Sequence, residues 1–173
     1  MTARECEISM AGERFNIVLR LVRWADQEAL REWKNNNRQY FFYQELIGTE
    51  QQMAWYRSYL LRDYDFMFVV QKAGQAIGCM GIRLLDEEWD VYNVVRGAVE
   101  SAGDRAMSRA FCMMLTFVAQ VRQREIGLKV LRQNPAISWY EKNGFSITGG
   151  GQGYYVMRHD PTKVERVELC VRG

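Results

Sequence analysis

The chain has a single histidine, His159, and four cysteines, Cys6, Cys79, Cys112 and Cys170, that lie far apart with no paired spacing. This excludes the ligand spacings of a structural zinc site, so no metal is expected, and any Ser-His or Cys-His pair would have to run through His159. Scattered thiols without a leader peptide fit a reducing, cytoplasmic setting. No apolar run approaches the roughly 20 residues of a membrane helix, which argues for a soluble protein with no membrane partner. The formal net charge is +2, too close to neutrality to imply a nucleic-acid partner, and there is no basic stripe. No internal repeat is present. What the chain does have is 48% hydrophobic and 13% aromatic residues in 173, enough for one substantial core, so residues 1–173 read as a single domain.

The most informative stretch is Asn134 to Phe145, NPAISWYEKNGF. Asn134 and Pro135 suit a helix cap and first turn, and Asn143-Gly144 suits a left-handed stop. Ile137, Tyr140 and Glu141 share one face, and alternation from Phe145 predicts a strand. A tyrosine is therefore held on a short helix between two strands. Taken alone, its ring could equally be core filler with a satisfied hydroxyl.

Upstream, residues 1–14 read as a loose lead-in that strand pairing could order in part. Phe15 to Arg23 reads as a strand, and Asp26 caps a helix to about Lys34 with Ala29, Leu30 and Trp33 on one stripe. The aromatic run Tyr40, Phe41, Phe42 and Tyr43 has no clean period: it lines a substrate mouth or seals the helices onto the sheet. Thr49 and Gln52 form a capping-box pattern opening a second helix to about Leu61. Asp65 to Gln71, Gln75 to Leu85 and Asp90 to Val99 read as an antiparallel meander, with turns at Lys72-Ala73-Gly74 and Asp86-Glu87-Glu88. Arg105 to Arg122 is a long helix with Met107, Phe111, Met114, Leu115 and Val118 inward, followed by a strand at Leu128 to Leu131. Strands at Phe145 to Thr148 and Tyr154 to Arg158 flank Gly149-Gly150-Gly151-Gln152-Gly153, a hairpin connection rather than a phosphate loop, because no helix and no Lys-Ser/Thr follow. The alternating tail, residues 161–173, can add an edge strand within or between subunits, which allows a homodimer.

Ala136-Ile137, Tyr140 and Gly144-Phe145 resemble the A-I-x-x-Y-x-x-x-G-F segment of the Gcn5-related N-acetyltransferases, the GNAT family, and the element order over about residues 15–158 is the family's. The resemblance implies an α/β GNAT fold: a mixed, mostly antiparallel, twisted sheet of about six to seven strands with helices on both faces. It implies acetyl-CoA as co-substrate, with pantetheine on Asn93, Val94 and Val95 and phosphates at Gly103, Asp104, Arg105, Ala106, Met107 and Ser108. The family's Q/R-x-x-G-x-G/A loop falls on Glu100 to Arg105 and keeps only its first glycine. The family's asparagine stands seven residues before the tyrosine; Asn134, six before Tyr140, is its counterpart at the cofactor.

By the same resemblance Tyr140 protonates the departing thiolate, and a Val94 or Val95 N–H on a strand bulge polarises the thioester carbonyl. A carboxylate near the start of that strand takes the amine proton. Glu88 is the candidate, Asp90 lies on the same alternation, and His159 is a second candidate base. The expected reaction is acetyl transfer in a ternary complex to a primary amine of a small molecule, an amino sugar and one linked to a nucleotide in particular. Tyr40, Phe41 and Asp90 would contact this acceptor. Protein N-terminal or other amine acetylation, and a non-catalytic acyl-CoA-binding module, are the alternatives.

Overall fold

The computed structural model describes residues 6–10, 16–97, 105–164 and 166–173, the side chain of Met10 aside. Among these, the strands are β1 (Glu7–Met10), β2 (Ile17–Leu21), β3 (Asp65–Lys72), β4 (Gln75–Leu85), β5 (Glu88–Arg96), β6 (Ile126–Leu131), β7 (Phe145–Gly151), β8 (Tyr154–His159) and β9 (Leu169–Arg172). The helices are α1 (Gln27–Asn36), α2 (Thr49–Tyr59), α3 (Ala106–Val121) and α4 (Ile137–Lys142). They build one nine-stranded sheet in the order β7-β8-β6-β5-β4-β3-β2-β1-β9. Every pairing is antiparallel except β5 with β6.

The β3–β4 and β4–β5 connections are tight because Ala73 and Gly74, then Asp86 and Glu87, all take positive φ, the backbone of two-residue hairpins whose twist matches the strands. Glu88 is therefore the first residue of β5 and not part of the turn, as the sequence had suggested. One face of the sheet packs on α3 and α4 through Phe66, Phe68, Met80, Ile82, Trp89, Phe111 and Met114, all fully buried. The opposite face packs on α1 and α2 through Val22, Leu30, Tyr56, Tyr59, Met67, Val69, Cys79 and Val95. Strand alternation decides the split: Trp89 and Val91 face α3, whereas Asp90 and Tyr92 face the other way.

The pairing offered for the lead-in and the edge strand offered for the tail both form: residues 7–10 supply β1, and the tail supplies β9, which pairs with β1 inside the same chain and brings the sheet to nine strands rather than six or seven. Other expectations are corrected. Asp26 stands at the N-cap of α1 as expected, but its carboxylate bonds no N–H of that helix; it accepts from the Arg23 N–H and from Arg20, each at 2.7 Å. The capping box at Thr49 does not form, since Gly48 is the N-cap and the Gln52 amide donates instead to Gln27 Oε1 at 2.8 Å, joining α2 to α1. The helix α4 starts at Ile137, with Asn134 Oδ1 accepting from the Ala136 N–H at 2.9 Å in the turn ahead of it. Gly149 to Gly151 lie within β7, which leaves Gln152-Gly153 as the turn to β8, while the left-handed stop expected at Gly144 does form, with φ of 88° at the end of α4.

Candidate active site

β5 and β6 are parallel and side by side only at Trp89↔Ile126 and Asp90↔Gly127; beyond that point they part. β6 is held on its other side by β8 up to Leu131↔Tyr154, so the opening is a wedge between two fixed walls. Where β5 becomes free of β6 it also bulges. A two-residue step on β4, Cys79 to Gly81, faces a three-residue step on β5, Val95 to Tyr92. The extra residue is taken up at Asn93, whose φ of 49° is a left-handed value that asparagine tolerates better than most side chains. Gly78 makes the close approach possible: a Cβ there would stand 2.4 Å from the Val95 carbonyl oxygen.

On the α1/α2 side of this bulge lies a cavity of about 170 Å³ lined by Lys34, Tyr43, Gln51, Trp55, Cys79 and Asn93 among others, with Val95 at its base. Lys34 Nζ donates to Asn93 Oδ1 at 2.8 Å and stands 5.2 Å from the centre of the Phe41 ring. Burial pulls the Lys34 pKa below its usual value, the Cys79 thiol opposing the shift and the Arg83 charge adding to it. Burial pushes the Cys79 thiol up to about 12, so it is a neutral group and a poor nucleophile. The wall carrying Tyr43 is fixed by the buried Asn35, whose side chain accepts from the Ile47 N–H at 2.9 Å and donates to the Ile47 carbonyl at 3.0 Å.

Below the bulge, on the same face of the sheet, lies a polar cluster. Asp90 accepts from Arg83 Nε at 3.0 Å, Arg83 stacks over the Tyr92 ring, and the Tyr92 hydroxyl donates to Asp65. Burial raises the Asp90 pKa, and the Arg83 charge works against that rise. Glu88 is elsewhere: it accepts from Arg158 at 3.0 Å at the closed end of the wedge, about 16 Å down the strand from Asn93. His159, at the end of β8, is remote as well. Its Nε2 is enclosed without a hydrogen-bond partner among the described residues, and it lines a different cavity of about 610 Å³ with Cys112, Leu115 and Val164, sharing no residue with the cavity at Asn93.

Tyr140 sits on α4 among the rings of Phe111, Trp139 and Phe145, and burial raises its phenol pKa far above the usual value. The helix is docked on the first turns of α3: the Trp139 indole N–H donates to Ser108 Oγ at 2.9 Å and the Asn143 amide reaches the same oxygen at 3.5 Å. Ser108 thus spends its hydroxyl on α4. Met107 and Ala106 are buried with their side chains in the core, and Arg105 is exposed just ahead of α3. Gly103, Asp104 and Glu100 lie outside the described residues. Asn134 donates to the Tyr40 carbonyl at 3.3 Å, tying the aromatic loop to the approach to α4. Of the acceptor residues expected from sequence, Asp90 is beside the bulge, Phe41 lies under Lys34, and Tyr40 contributes that carbonyl. Lys34 and Gln51 were not anticipated as a lining, whereas Tyr43 belongs to the aromatic run that the sequence offered as the lining of a substrate mouth.

No protein-family model and no curated protein sequence matches the chain. Solved structures do. It is similar to an apo FdhC described as a nucleotide-linked sugar GNAT, with 17% identity, a TM-score of 0.72, and 86% of this chain and 89% of that one covered. It is similar to the spermidine N-acetyltransferase of Vibrio cholerae solved with CoA and spermine, at 20% identity and a TM-score of 0.68 over 83% of this chain and 93% of that one. The PaiA N-acetyltransferase of Thermoplasma acidophilum, in complex with coenzyme A, matches at 16% identity and a TM-score of 0.63 over 83% and 98%. The fold is that of the GNAT acetyltransferases.

Proposed function

We propose that the chain is an acetyl-CoA-dependent N-acetyltransferase acting on the primary amine of a small molecule, an amino sugar and one linked to a nucleotide in particular. The observation that carries this reading is that a cavity and an open strand wedge meet at the same two residues, Asn93 and Val95. A donor lying along β5 and an acceptor entering from α1 and α2 would meet there, which is the positioning that a two-substrate transfer needs. Acetyl-CoA, when bound, supplies the activated acetyl thioester. The edge of β5 from Asn93 to Val95, beyond its pairing with β6, would take its pantetheine amides. The first turn of α3 at Ala106, Met107 and Ser108, with Arg105 ahead of it and the neighbouring Gly103 and Asp104, would take its phosphates, because a helix start favours anions. Asn134 supports that end of the site by holding the loop before α4.

Each catalytic role falls on a group of this chain. The thioester carbonyl would be polarised by the Val94 N–H, since the Val95 N–H lies against the Cys79 thiol. The amine proton would pass, through water, to Asp90, about 10 Å down the strand from Asn93 and raised in pKa by burial. Glu88, the carboxylate first expected in this role, is engaged by Arg158 at the far end of the strand and is not assigned it. Tyr140, protonated throughout the neutral range, would give its proton to the leaving thiolate.

Tyr43 and Trp55 in the cavity wall offer faces on which a sugar ring can pack, and the likeness to a nucleotide-linked sugar GNAT points the same way. The test is a panel of amines, led by free and nucleotide-linked amino sugars, incubated with acetyl-CoA and read by mass for the acetylated product. No product from any amine, alongside a clear thermal stabilisation by acetyl-CoA, would overturn the enzymatic reading in favour of an acyl-CoA-binding module.

A further inference from the structure

Lys34 is the one charged side chain in the lining of the cavity at Asn93 among the described residues. The carboxylates closest along the sheet already have cationic partners: Asp90 is paired with Arg83 at 3.0 Å and Asp65 with Arg62 at 3.2 Å. Lys34 is left with a neutral partner, the Asn93 amide oxygen, which takes one of the three ammonium donors. The Phe41 ring adds a second, uncharged contact. A half-buried ammonium with no counter-charge among the described residues is a costly arrangement, and an entering anion would relieve it. A second cation in the same space would instead face it at short range with little water between them.

We propose that Lys34 makes this a site for anionic amines, acceptors that carry a carboxylate or a phosphate near the amine, and that it turns polyamines away. This rests on the acetyl-transfer reading and narrows its substrate class. The cavity, about 170 Å³, holds the volume of roughly five or six waters. An amine with one small anionic substituent fills such a space, and the remainder of a larger acceptor would extend past Tyr43 towards solvent. The Lys34–Asn93 bond also ties acceptor charge to the bulge itself. An anion drawing on Lys34 would hold its own amine next to the strand where the acetyl group is to be received.

Matched pairs test this: glucosamine against glucosamine 6-phosphate, and propylamine against β-alanine, with spermidine as the polycation. Binding is measured calorimetrically with coenzyme A present, and turnover with acetyl-CoA. The anionic member of each pair should be favoured at least tenfold over its neutral partner and over spermidine, less so as salt is raised. Lys34→Gln should bring the ratio close to one, and Lys34→Glu should reverse it in favour of spermidine, each variant being checked first for an unchanged circular dichroism spectrum. Equal use of neutral and anionic partners, a preference for spermidine, or a ratio that survives Lys34→Gln would overturn the proposal. If no amine is acetylated, the acetyl-transfer reading fails on that result alone, and the binding ratio still decides for or against Lys34 as the anion contact.

Discussion

Lys34 and Asn93, 59 residues apart in sequence, are joined by a 2.8 Å hydrogen bond at the point where β5 bulges. The bond connects the last full turn of α1 to a backbone of left-handed conformation, so the cavity wall and the strand edge share one fixed reference. Movement of α1 would be felt at the bulge, and the reverse. The residues around this pair carry definite expectations.

Tyr140→Phe should lower kcat by about a hundredfold or more, the usual weight of a positioned proton donor. It should leave acetyl-CoA affinity and the melting temperature close to those of the parent, since the ring remains among Phe111, Trp139 and Phe145. Steady-state kinetics beside a thermal melt check both halves; full activity in the variant would remove the acid role from Tyr140.

Asp90 should set the acidic limb of the rate profile. Burial raises its pKa, so the rate should climb with pH through a value above that of an ordinary aspartate and then level off. Arg83 opposes that rise, and Arg83→Gln should therefore move the limb to higher pH. Asp90→Asn should abolish the limb and cost ten- to a hundredfold or more in kcat. A limb that stays in place in Arg83→Gln counts against Asp90 as the base.

Asp26 makes a stability prediction independent of function. Burial opposes its ionisation, but the bonds from Arg20 and the Arg23 N–H prevail and hold its pKa below the usual range. A depressed carboxylate adds stability that is present above its unfolded pKa of about 3.9 and disappears as pH falls through the lower folded value. Asp26→Asn should cost about 1–3 kcal/mol at pH 7 by urea denaturation, with a gap to the parent that closes below about pH 4.

Gly78→Ala should damage fold and site together. The added methyl would meet the Val95 carbonyl at 2.4 Å and the Met107 side chain at 3.0 Å, and a backbone oxygen in a paired strand has little room to retreat. A loss of about 1–3 kcal/mol is expected, with a rise in KM for acetyl-CoA because β5 shifts at the residues proposed to hold it. An unchanged melt with unchanged KM would mean that β5 is far more pliant than its pairing suggests.

The sequence carried most of the elements and few of the contacts. The inward stripe of α3, from Met107 to Val118, is legible because a helix repeats every 3.6 residues, and all five of the residues chosen are buried. The β4 bounds were readable from the glycine-bearing turn before it and the acidic turn after it. The site was harder because it is assembled from segments far apart in the chain. Lys34 did leave a trace: it lies four residues after the buried Leu30, on the same side of α1, and a lysine at that spacing points inward. Asn93 came only from the family resemblance, since no local pattern distinguishes an asparagine that breaks a strand register from one that continues it. Glu88 was favoured over Asp90 because the resemblance asks for a carboxylate near the start of the strand, but strand alternation alone could not reveal that Arg158, 70 residues later, binds it.

The pairing of β1 with β9 sets Glu7 opposite Arg172 at the edge of the sheet next to β2. Strands so far apart in sequence can zip only after the whole stretch between them has been made, and the closure of so long a loop is slow. That edge should be the last part of this sheet to form. Because Arg172 stands opposite Glu7, a short linker could also run directly from β9 to β1, with a break placed at Gln152-Gly153, and leave every wall of the wedge between β5 and β6 in its original chain order.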